Sequence, residues 1–201
     1  MPTSTPIHAD PSDLQPADLP RTGPSRIGPS RTGPSRTGLS RPVAALIVAG
    51  VLGASALVGR RNAPDPSHPR TRRWYKRLDK PDFTPPDAVF GAVWPVLEIG
   101  LAVGGYRLMR APADPRRNAA VGLWLLNTAM IGGWTELFFR KRALDTSTVA
   151  AGAMVVTGAA YVATAAKVDR PAAGLGVPFV AWLGFATVLA AGIGRRNESR
   201  S

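Results

Sequence analysis

The sequence contains no cysteine and only two histidines, His8 and His68, and neither histidine lies in an apolar segment. Without cysteine, the chain has neither a disulfide framework nor a thiolate metal site. Because no histidine lies in an apolar segment, an axial histidine of the globin or cytochrome kind is not expected, which leaves Tyr106, Tyr161 or Met130 as haem ligands in principle. Paired carboxylates at catalytic spacing and nucleotide-binding loops are also missing. These absences argue against a hydrolase or a metalloenzyme.

Acidic residues are scarce as well, with 13 Asp and Glu against 25 Lys and Arg and a formal net charge of +12 at pH 7. A strongly basic chain can indicate binding to nucleic acid. Here the arginines are concentrated near the N-terminus and between long apolar segments, which is typical of a membrane protein with cationic loops. The charge therefore predicts a lipid bilayer, and not nucleic acid, as partner.

Residues 1–42 have almost no large apolar side chains and contain a repeat of Arg, Gly, Pro and Ser, with units starting at Arg21, Arg26, Arg31 and Arg36. Such a segment cannot bury enough apolar surface to offset the entropy of ordering it. We therefore expect a disordered basic tail. It either interacts with anionic lipid headgroups or is a low-complexity extension without a specific partner.

Five apolar segments follow, each close to the roughly 20 residues that a bilayer-spanning helix needs. Helices are the expected form, because lipid offers no partners for open backbone groups. The sequence thus predicts an all-α, polytopic membrane protein with a five-transmembrane-helix bundle in residues 43–197. The predicted spans are residues 43–59, 88–109, 119–139, 149–166 and 174–193.

One connection, residues 60–87, is much longer than the others, and we call it the cover loop. A long loop in a compact bundle is usually functional or disordered. Residues 62–72 are interpreted as a spacer. Residues 74–86 combine aromatic, cationic and proline side chains, so we expect the cover loop to be ordered in part.

Three groups of residues carry a resemblance to a known family. The first group is Trp74-Tyr75, Leu78, Lys80-Pro81, Pro85-Pro86 and Val93-Trp94. The second is Trp134 with Phe138-Phe139, and the third is Pro178-Phe179, Ala181-Trp182 and Phe185-Ala186-Thr187. With these groups in this order, over about residues 73–197, the chain resembles the TspO/MBR family of tryptophan-rich sensory proteins and translocator proteins.

The resemblance implies a five-helix membrane bundle, in many members a homodimer, with a pocket beneath the first loop. Family members bind porphyrins, haem, sterols and benzodiazepine-like drugs, and some bacterial members promote light- and oxygen-dependent breakdown of protoporphyrin. It therefore implies a porphyrin or haem as a ligand and no obligatory cofactor. The tryptophans associated with that pocket correspond to Trp94 and Trp182. The implied location is the bacterial cell membrane.

Several positions depart from the family pattern. Glu98 stands where an aromatic residue is common, and Asn127 and Ile131 stand in place of a Gln and an Asn. Ala165 and Ala190 replace a Trp and an Asn. These changes remove polar and aromatic groups from the implied pocket, so the ligand can differ from those usual in the family.

The candidate ligand-binding residues offer aromatic faces, polar groups or a stiff backbone near the implied pocket. They are Trp74, Tyr75, Lys80, Pro81, Pro85, Pro86, Trp94, Glu98, Asn127, Trp134, Phe138, Trp182 and Phe185. Tryptophan can stack on a flat ligand, but it is also enriched at membrane surfaces. We expect a pocket role for Trp94 and Trp182 and interfacial anchoring for Trp124.

The polar candidates keep two interpretations each. Lys80 could bind porphyrin propionates or be a solvated charge. Glu98, four residues after Trp94, could bind the ligand, or it could be a neutral acid bonded to a neighbouring helix, with Asn127 as partner. The cover-loop prolines are expected to stiffen the backbone, with or without a ligand.

Gly100 and Gly104, with Gly105 beside them, form a face of small residues on the second span. Such a face permits close helix approach. It is compatible either with a dimer seam or with packing inside the bundle.

The leading functional hypothesis is a membrane protein, not an enzyme, that binds a flat hydrophobic ligand under the first loop and has a sensory or regulatory role. A transporter of tetrapyrrole-like ligands, with Glu98 as a protonatable group, is one alternative. Porphyrin photodegradation that depends on Trp94 and Trp182 is another.

Overall fold

A computed structural model describes residues 37–197, which are helical throughout apart from their connections and contain no strand. The predicted tail lies outside the described residues except for residues 37–42. The six α-helices are α1 (Arg41–Asn62), α2 (Pro69–Arg77), α3 (Asp87–Arg110), α4 (Pro115–Thr135), α5 (Leu144–Ala165) and α6 (Arg170–Asn197). A π-helical turn, Glu136–Arg140, continues α4.

Four helices of the described range, α1, α3, α5 and α6, are long and apolar enough to cross a membrane. Each begins before the corresponding predicted span, and α5 ends at Ala165, one residue before the end of its span. The helix α4 forms at the third predicted span and has 21 residues. It is less apolar than the other four because it contains Asn118, Asn127 and Thr128. Short connections make α3, α4, α5 and α6 successive antiparallel neighbours.

The folded part of the chain begins earlier than residue 43. Arg41 and Pro42, which were predicted to belong to the tail, form the first turn of α1, where proline is favoured because its missing amide is not needed. The Leu39 amide donates to the Met109 carbonyl at 2.9 Å, and Arg110 Nη1 donates to the Leu39 carbonyl at 2.7 Å. These bonds attach the segment before α1 to the end of α3.

The interior of the bundle contains Trp124, for which the sequence predicted interfacial anchoring. That prediction is wrong: Trp124 is completely buried, and its Nε1 donates to the Leu101 carbonyl at 2.8 Å. Its ring lies directly against Gly105, where a Cβ atom would overlap it. The side of α4 that carries Trp124 faces α3, which sequence composition does not reveal.

The small-residue face of α3 is used inside the bundle. A Cβ at Gly104 would lie 2.7 Å from the Tyr161 hydroxyl, and a Cβ at Gly176 of α6 would lie 2.7 Å from Tyr161 Cε1. At Gly100 a Cβ would lie 3.1 Å from the Leu175 carbonyl oxygen. The dimer-seam interpretation of this face is therefore wrong, because α5 and α6 of the same chain occupy it.

An ion pair joins the ends of the helices opposite the cover loop. Arg107 donates to both carboxylate oxygens of Asp169 at 2.9 and 3.0 Å. Asp169 also caps α6, because its Oδ1 accepts from the Ala172 amide at 2.8 Å. The Arg107 guanidinium, aided by this amide, lowers the pKa of Asp169 against the opposing effect of burial.

We predict that Gly104→Ala destabilises the protein and that Tyr161→Phe relieves much of the effect. The Tyr161 hydroxyl is buried and has no hydrogen-bond partner among the described residues. Its removal alone should therefore change the melting temperature in detergent little. The single Gly104→Ala change should cost about 1–3 kcal/mol through overpacking. Gly152→Ala is the control, since nothing lies within 4 Å of a Cβ there. If Gly104→Ala has the same melting temperature with and without Tyr161→Phe, the Tyr161 hydroxyl is not the group that a Cβ at position 104 meets.

We also predict that Asp169→Asn lowers the melting temperature at pH 7 and that this difference shrinks in acid. A carboxyl with a lowered pKa in the folded state stabilises above its unfolded pKa of about 3.9 and loses that effect as pH falls through the folded value. Asparagine retains the capping oxygen and removes the charge. Melting curves of both proteins between pH 7 and pH 3 test this, and a difference that does not depend on pH would contradict it.

Candidate functional site

A cavity of about 640 Å³ lies at the end of the bundle that carries the cover loop. This volume is within the usual range of small-molecule sites. All six helices contribute to its wall. The helical lining includes Ser55, Ala56, Tyr75, Phe90, Trp94, Glu98, Ile131, Trp134, Thr135, Ala151, Met154, Trp182, Leu183, Ala186, Leu189, Ala190 and Ile193.

Two sets of aromatic side chains supply much of the lining. The first aromatic group consists of Trp74, Tyr75, Trp134, Phe138 and Phe139. Within it, Trp134 and Phe138 are stacked with ring centroids 4.8 Å apart, and Phe138 and Phe139 meet edge to face at 5.0 Å. All its members except Trp74 line the cavity. Stacked and edge-to-face pairs of this kind stabilise the packing of this wall beyond the burial of the rings.

The second aromatic group consists of Phe83, Phe90, Trp182 and Phe185. Trp182 lies at its centre, 5.6 Å from Phe90 and 5.2 Å from Phe185 between ring centroids. Phe90 and Trp182 line the cavity. The Trp182 Nε1 is buried without a hydrogen-bond partner among the described residues. The indole therefore contributes to the wall through its ring.

The π-helical turn positions Phe138 and Phe139. It is closed by a bond from the Lys141 amide to the Glu136 carbonyl at 2.9 Å, five residues apart. Widened turns of this kind occur often at functional sites. Both phenylalanines line the cavity here. Glu136 also forms an ion pair with Arg140 at 3.0 Å, one helical turn on.

The second half of the cover loop is attached to the end of α6. Asn197 Oδ1 accepts from the Asp79 amide at 3.1 Å, and Asn197 Nδ2 donates to the Asp79 carbonyl at 2.9 Å. Pro81 is buried close against Gly192, where a Cβ would lie 2.7 Å from the proline Cγ. One asparagine thus satisfies both backbone groups of a loop residue and holds the cover loop in place.

The first half of the cover loop is not a plain spacer. The helix α2 begins at Pro69, because proline suits the first helical turn. Before it, Asp65 accepts from the Ser67 amide at 2.8 Å in a local turn. Ala63, Pro64 and Asp65 line the cavity. The spacer interpretation of residues 62–72 is therefore wrong.

Lys80 and Tyr75 form a contact above the cavity. The Lys80 ammonium lies 3.8 Å from the centroid of the Tyr75 ring, a cation–π geometry. Burial raises the pKa of Tyr75 to about 12, and the Asp87 carboxylate adds to this effect. Burial lowers the pKa of Lys80 and Lys76 adds to that, while Asp87 opposes it. Lys80 therefore contacts Tyr75 within the cover loop and does not line the cavity.

Glu98 lies on the cavity wall, about three turns into α3. None of the ion pairs among residues 37–197 involves its carboxyl. Asn127, the partner considered from sequence, is completely buried and otherwise engaged. It donates to the Leu123 carbonyl at 2.8 Å and accepts from Thr157 at 3.1 Å. The interpretation of Glu98 as bonded to Asn127 is wrong.

The thirteen candidate residues divide into two sets. Tyr75, Trp94, Glu98, Trp134, Phe138 and Trp182 line the cavity. The others lie outside the lining. Trp74 packs behind Phe138, and Phe185 packs behind Trp182. Four candidates belong to the cover loop, namely Lys80, Pro81, Pro85 and Pro86. Asn127 lies in the core.

Several lining residues were not among the candidates, although helical spacing indicates them. Phe90 precedes Trp94 by four residues, and Glu98 follows Trp94 by four, so the three share one face of α3. In the same way Ala186 and Leu189 continue the face of Trp182 along α6. The lining residues of α1 and α5 carry no comparable signal, because they are small or lie among other apolar residues.

Comparison with known proteins places this geometry in context. The model of the TspO/MBR family matches residues 42–196. The Translocator protein of Homo sapiens is 34% identical over 135 residues, which cover 65% of this chain and 79% of that protein. The Tryptophan-rich protein TspO of Bacillus cereus is 27% identical over 121 residues, covering 60% and 78%. The Tryptophan-rich sensory protein of Cereibacter sphaeroides is 27% identical over 137 residues, covering 68% and 80%.

The family match includes every membrane-spanning helix of the described range together with the cover loop. It agrees with the resemblance carried by the tryptophan, proline and phenylalanine motifs. This chain is therefore an integral, multi-pass membrane protein that belongs to the TspO/MBR family.

Proposed function

We propose that the protein binds a flat hydrophobic ligand, such as a tetrapyrrole or a sterol-like molecule, in the cavity under the cover loop, and that it has a sensory or regulatory role. The observation that carries this proposal is the cavity of about 640 Å³ with aromatic side chains on several of its helices. Flat apolar molecules gain both from burial and from stacking on such rings.

The proposal includes a bundle of five spans, with α4 as the third. The 21 residues of α4 reach about 30 Å, the thickness of the hydrocarbon core. Its polar side chains Asn127 and Thr128 are buried inside the protein and hydrogen-bonded to carbonyls of their own helix. These polar side chains therefore do not face lipid. Exposure of polar side chains to lipid would make α4 costly to insert.

Packing below the cavity favours retention of a ligand over its passage through the bundle. The half of the bundle opposite the cover loop is filled by Leu101, Leu108, Trp124 and Tyr161, all fully buried. On the other side, Asn197 holds the cover loop against α6. A closed floor and an attached cover suit a binding protein better than a transporter.

Narrowing the cavity should weaken binding of protoporphyrin. Ala186 lines the cavity, and Ala186→Phe would place a ring inside it. We expect the Kd, measured from porphyrin fluorescence in detergent, to increase about tenfold or more, as expected when a ligand loses well-packed contacts. Ala159→Phe is the matched control, since Ala159 is exposed on α5 outside the lining. Unchanged affinity in Ala186→Phe would overturn the proposal, and equal weakening in both variants would do so too.

Releasing the cover loop should shorten the residence time of a bound ligand. Asn197→Ala removes the two hydrogen bonds to Asp79, each worth about 1 kcal/mol, so protoporphyrin should dissociate about tenfold faster in stopped-flow measurements. Arg196→Ala is the comparison, because its pairing with Asp79 at 3.6 Å is exposed and contributes little. Equal dissociation rates for wild type and Asn197→Ala would show that the cover loop does not retain the ligand.

A further inference from the structure

On the basis of the proposed ligand-binding role of the cavity, we propose that among flat hydrophobic ligands it prefers those that carry a protonated amine, which binds to the Glu98 carboxylate. Glu98 is the specificity-determining group in this inference. The aromatic walls accept many flat molecules, whereas a carboxylate among apolar side chains discriminates by charge.

The position of Glu98 is the first support. It lies about three turns into α3, on the same face as Trp94 and Phe90, and lines the cavity. An acidic side chain at membrane depth is costly to insert and indicates a functional group by default. Its carboxyl has no ionic partner among residues 37–197. A cationic group of a ligand would supply that partner.

The charge of the lining is the second support. Although the chain carries a formal net charge of +12, the charged lining residues are Arg60, Asp65, Asp87 and Glu98. Asp87 is the first residue of α3, Arg60 is near the end of α1 and Asp65 is in the cover loop. Acidic groups therefore outnumber basic ones in the lining, and Glu98 lies deepest along α3. The cavity selects for positive charge in a protein that is otherwise strongly basic.

The hydrogen-bonding groups of the wall are the third support. Three donors in the lining are engaged by the protein itself: Ser55 donates to the Thr128 carbonyl, Thr135 to the Gly132 carbonyl and Trp134 to the Ser147 carbonyl. Pro95 has no amide to donate to the carbonyl of Gly91, and both residues line the cavity. These three donors are therefore not available to an anionic ligand, and the fourth, Trp182 Nε1, is buried although it has no partner among residues 37–197.

Neighbouring aromatic rings would add to the recognition of a cation. Trp94 lies one turn before Glu98 on the same face of α3, and tryptophan is the strongest cation–π partner among side chains. An anionic group at the same depth would meet repulsion from Glu98. A ligand that carries both signs would therefore place its amine deep in the cavity and its acidic groups toward the cover loop.

Three pyrene derivatives with the same ring and different charge test the inference: 1-pyrenemethylamine, 1-pyrenemethanol and 1-pyreneacetic acid. Energy transfer from tryptophan to pyrene reports binding to the full chain in nanodiscs of zwitterionic lipid at pH 7, with empty nanodiscs as the baseline. We expect the amine to bind about tenfold tighter than the alcohol, as one charge-assisted hydrogen bond would provide. The acid should bind more weakly than the alcohol.

The variants assign this preference to one residue. Glu98→Gln should weaken binding of the amine about tenfold and change binding of the alcohol no more than about twofold. Glu98→Asp should retain part of the amine preference, which guards against a folding defect in one variant. Glu136→Gln is the matched control, because Glu136 is an acid near the same end of the bundle but outside the lining.

The outcomes separate this inference from the proposed function. Equal affinity of wild type for the amine and the alcohol, or equal weakening of both by Glu98→Gln, would overturn the role of Glu98 while the cavity remained a ligand site. If no probe binds saturably, or if Ala186→Phe weakens none of them, the proposed function itself fails.

Discussion

Close approach of α3 to its neighbours is the constraint on which the rest of the structure depends. Helices in lipid gain little from the hydrophobic effect, so their association relies on close packing of small residues against large ones. The Tyr161 side chain packs against Gly104 and Gly176, and the Trp124 ring packs against Gly105. These contacts close the bundle in the half opposite the cover loop. Toward the cover loop, bulky aromatic side chains line the space between the helices, and the helices enclose a cavity.

The cover loop places irregular backbone at the mouth of an apolar cavity, which is a second constraint on the structure. Backbone groups there need partners, because an unpaired amide or carbonyl away from water costs free energy. Asn197 provides both partners for Asp79, Thr84 closes a turn onto the Pro81 carbonyl, and the prolines reduce the number of amides to be satisfied. Residues 78–86 of the cover loop can therefore be ordered without forming a helix or a sheet, and their order depends on the last residue of α6.

The sequence predicted the features that depend on composition and local spacing. The apolar segments appear as helices, and Trp94 and Trp182 line one cavity. It failed where the direction of a side chain around its helix decides the outcome. Trp124 was expected at the interface and is buried, because it faces Gly105 of another helix. Asn127 was expected near a ligand and is bonded within the core. The rotation of a helix about its axis is fixed by tertiary packing. Because these helices are only weakly amphipathic, their sequences do not show which side of each helix faces the protein interior.

Close helix packing and the cavity are separated along the helices, which explains how an acidic residue at position 98 is accommodated without disturbing the fold. The glycines and large side chains that close the bundle lie beyond Glu98 along α3, toward the end opposite the cover loop. Glu98 projects from the wall of a space that is already open, so a change there alters the chemistry of the cavity and leaves the close helix contacts intact. Under the proposed function, the same separation lets the aromatic walls accept flat molecules in general while Glu98 selects among them by charge. Ligand choice can therefore diverge within this architecture through single lining residues, at little cost to stability.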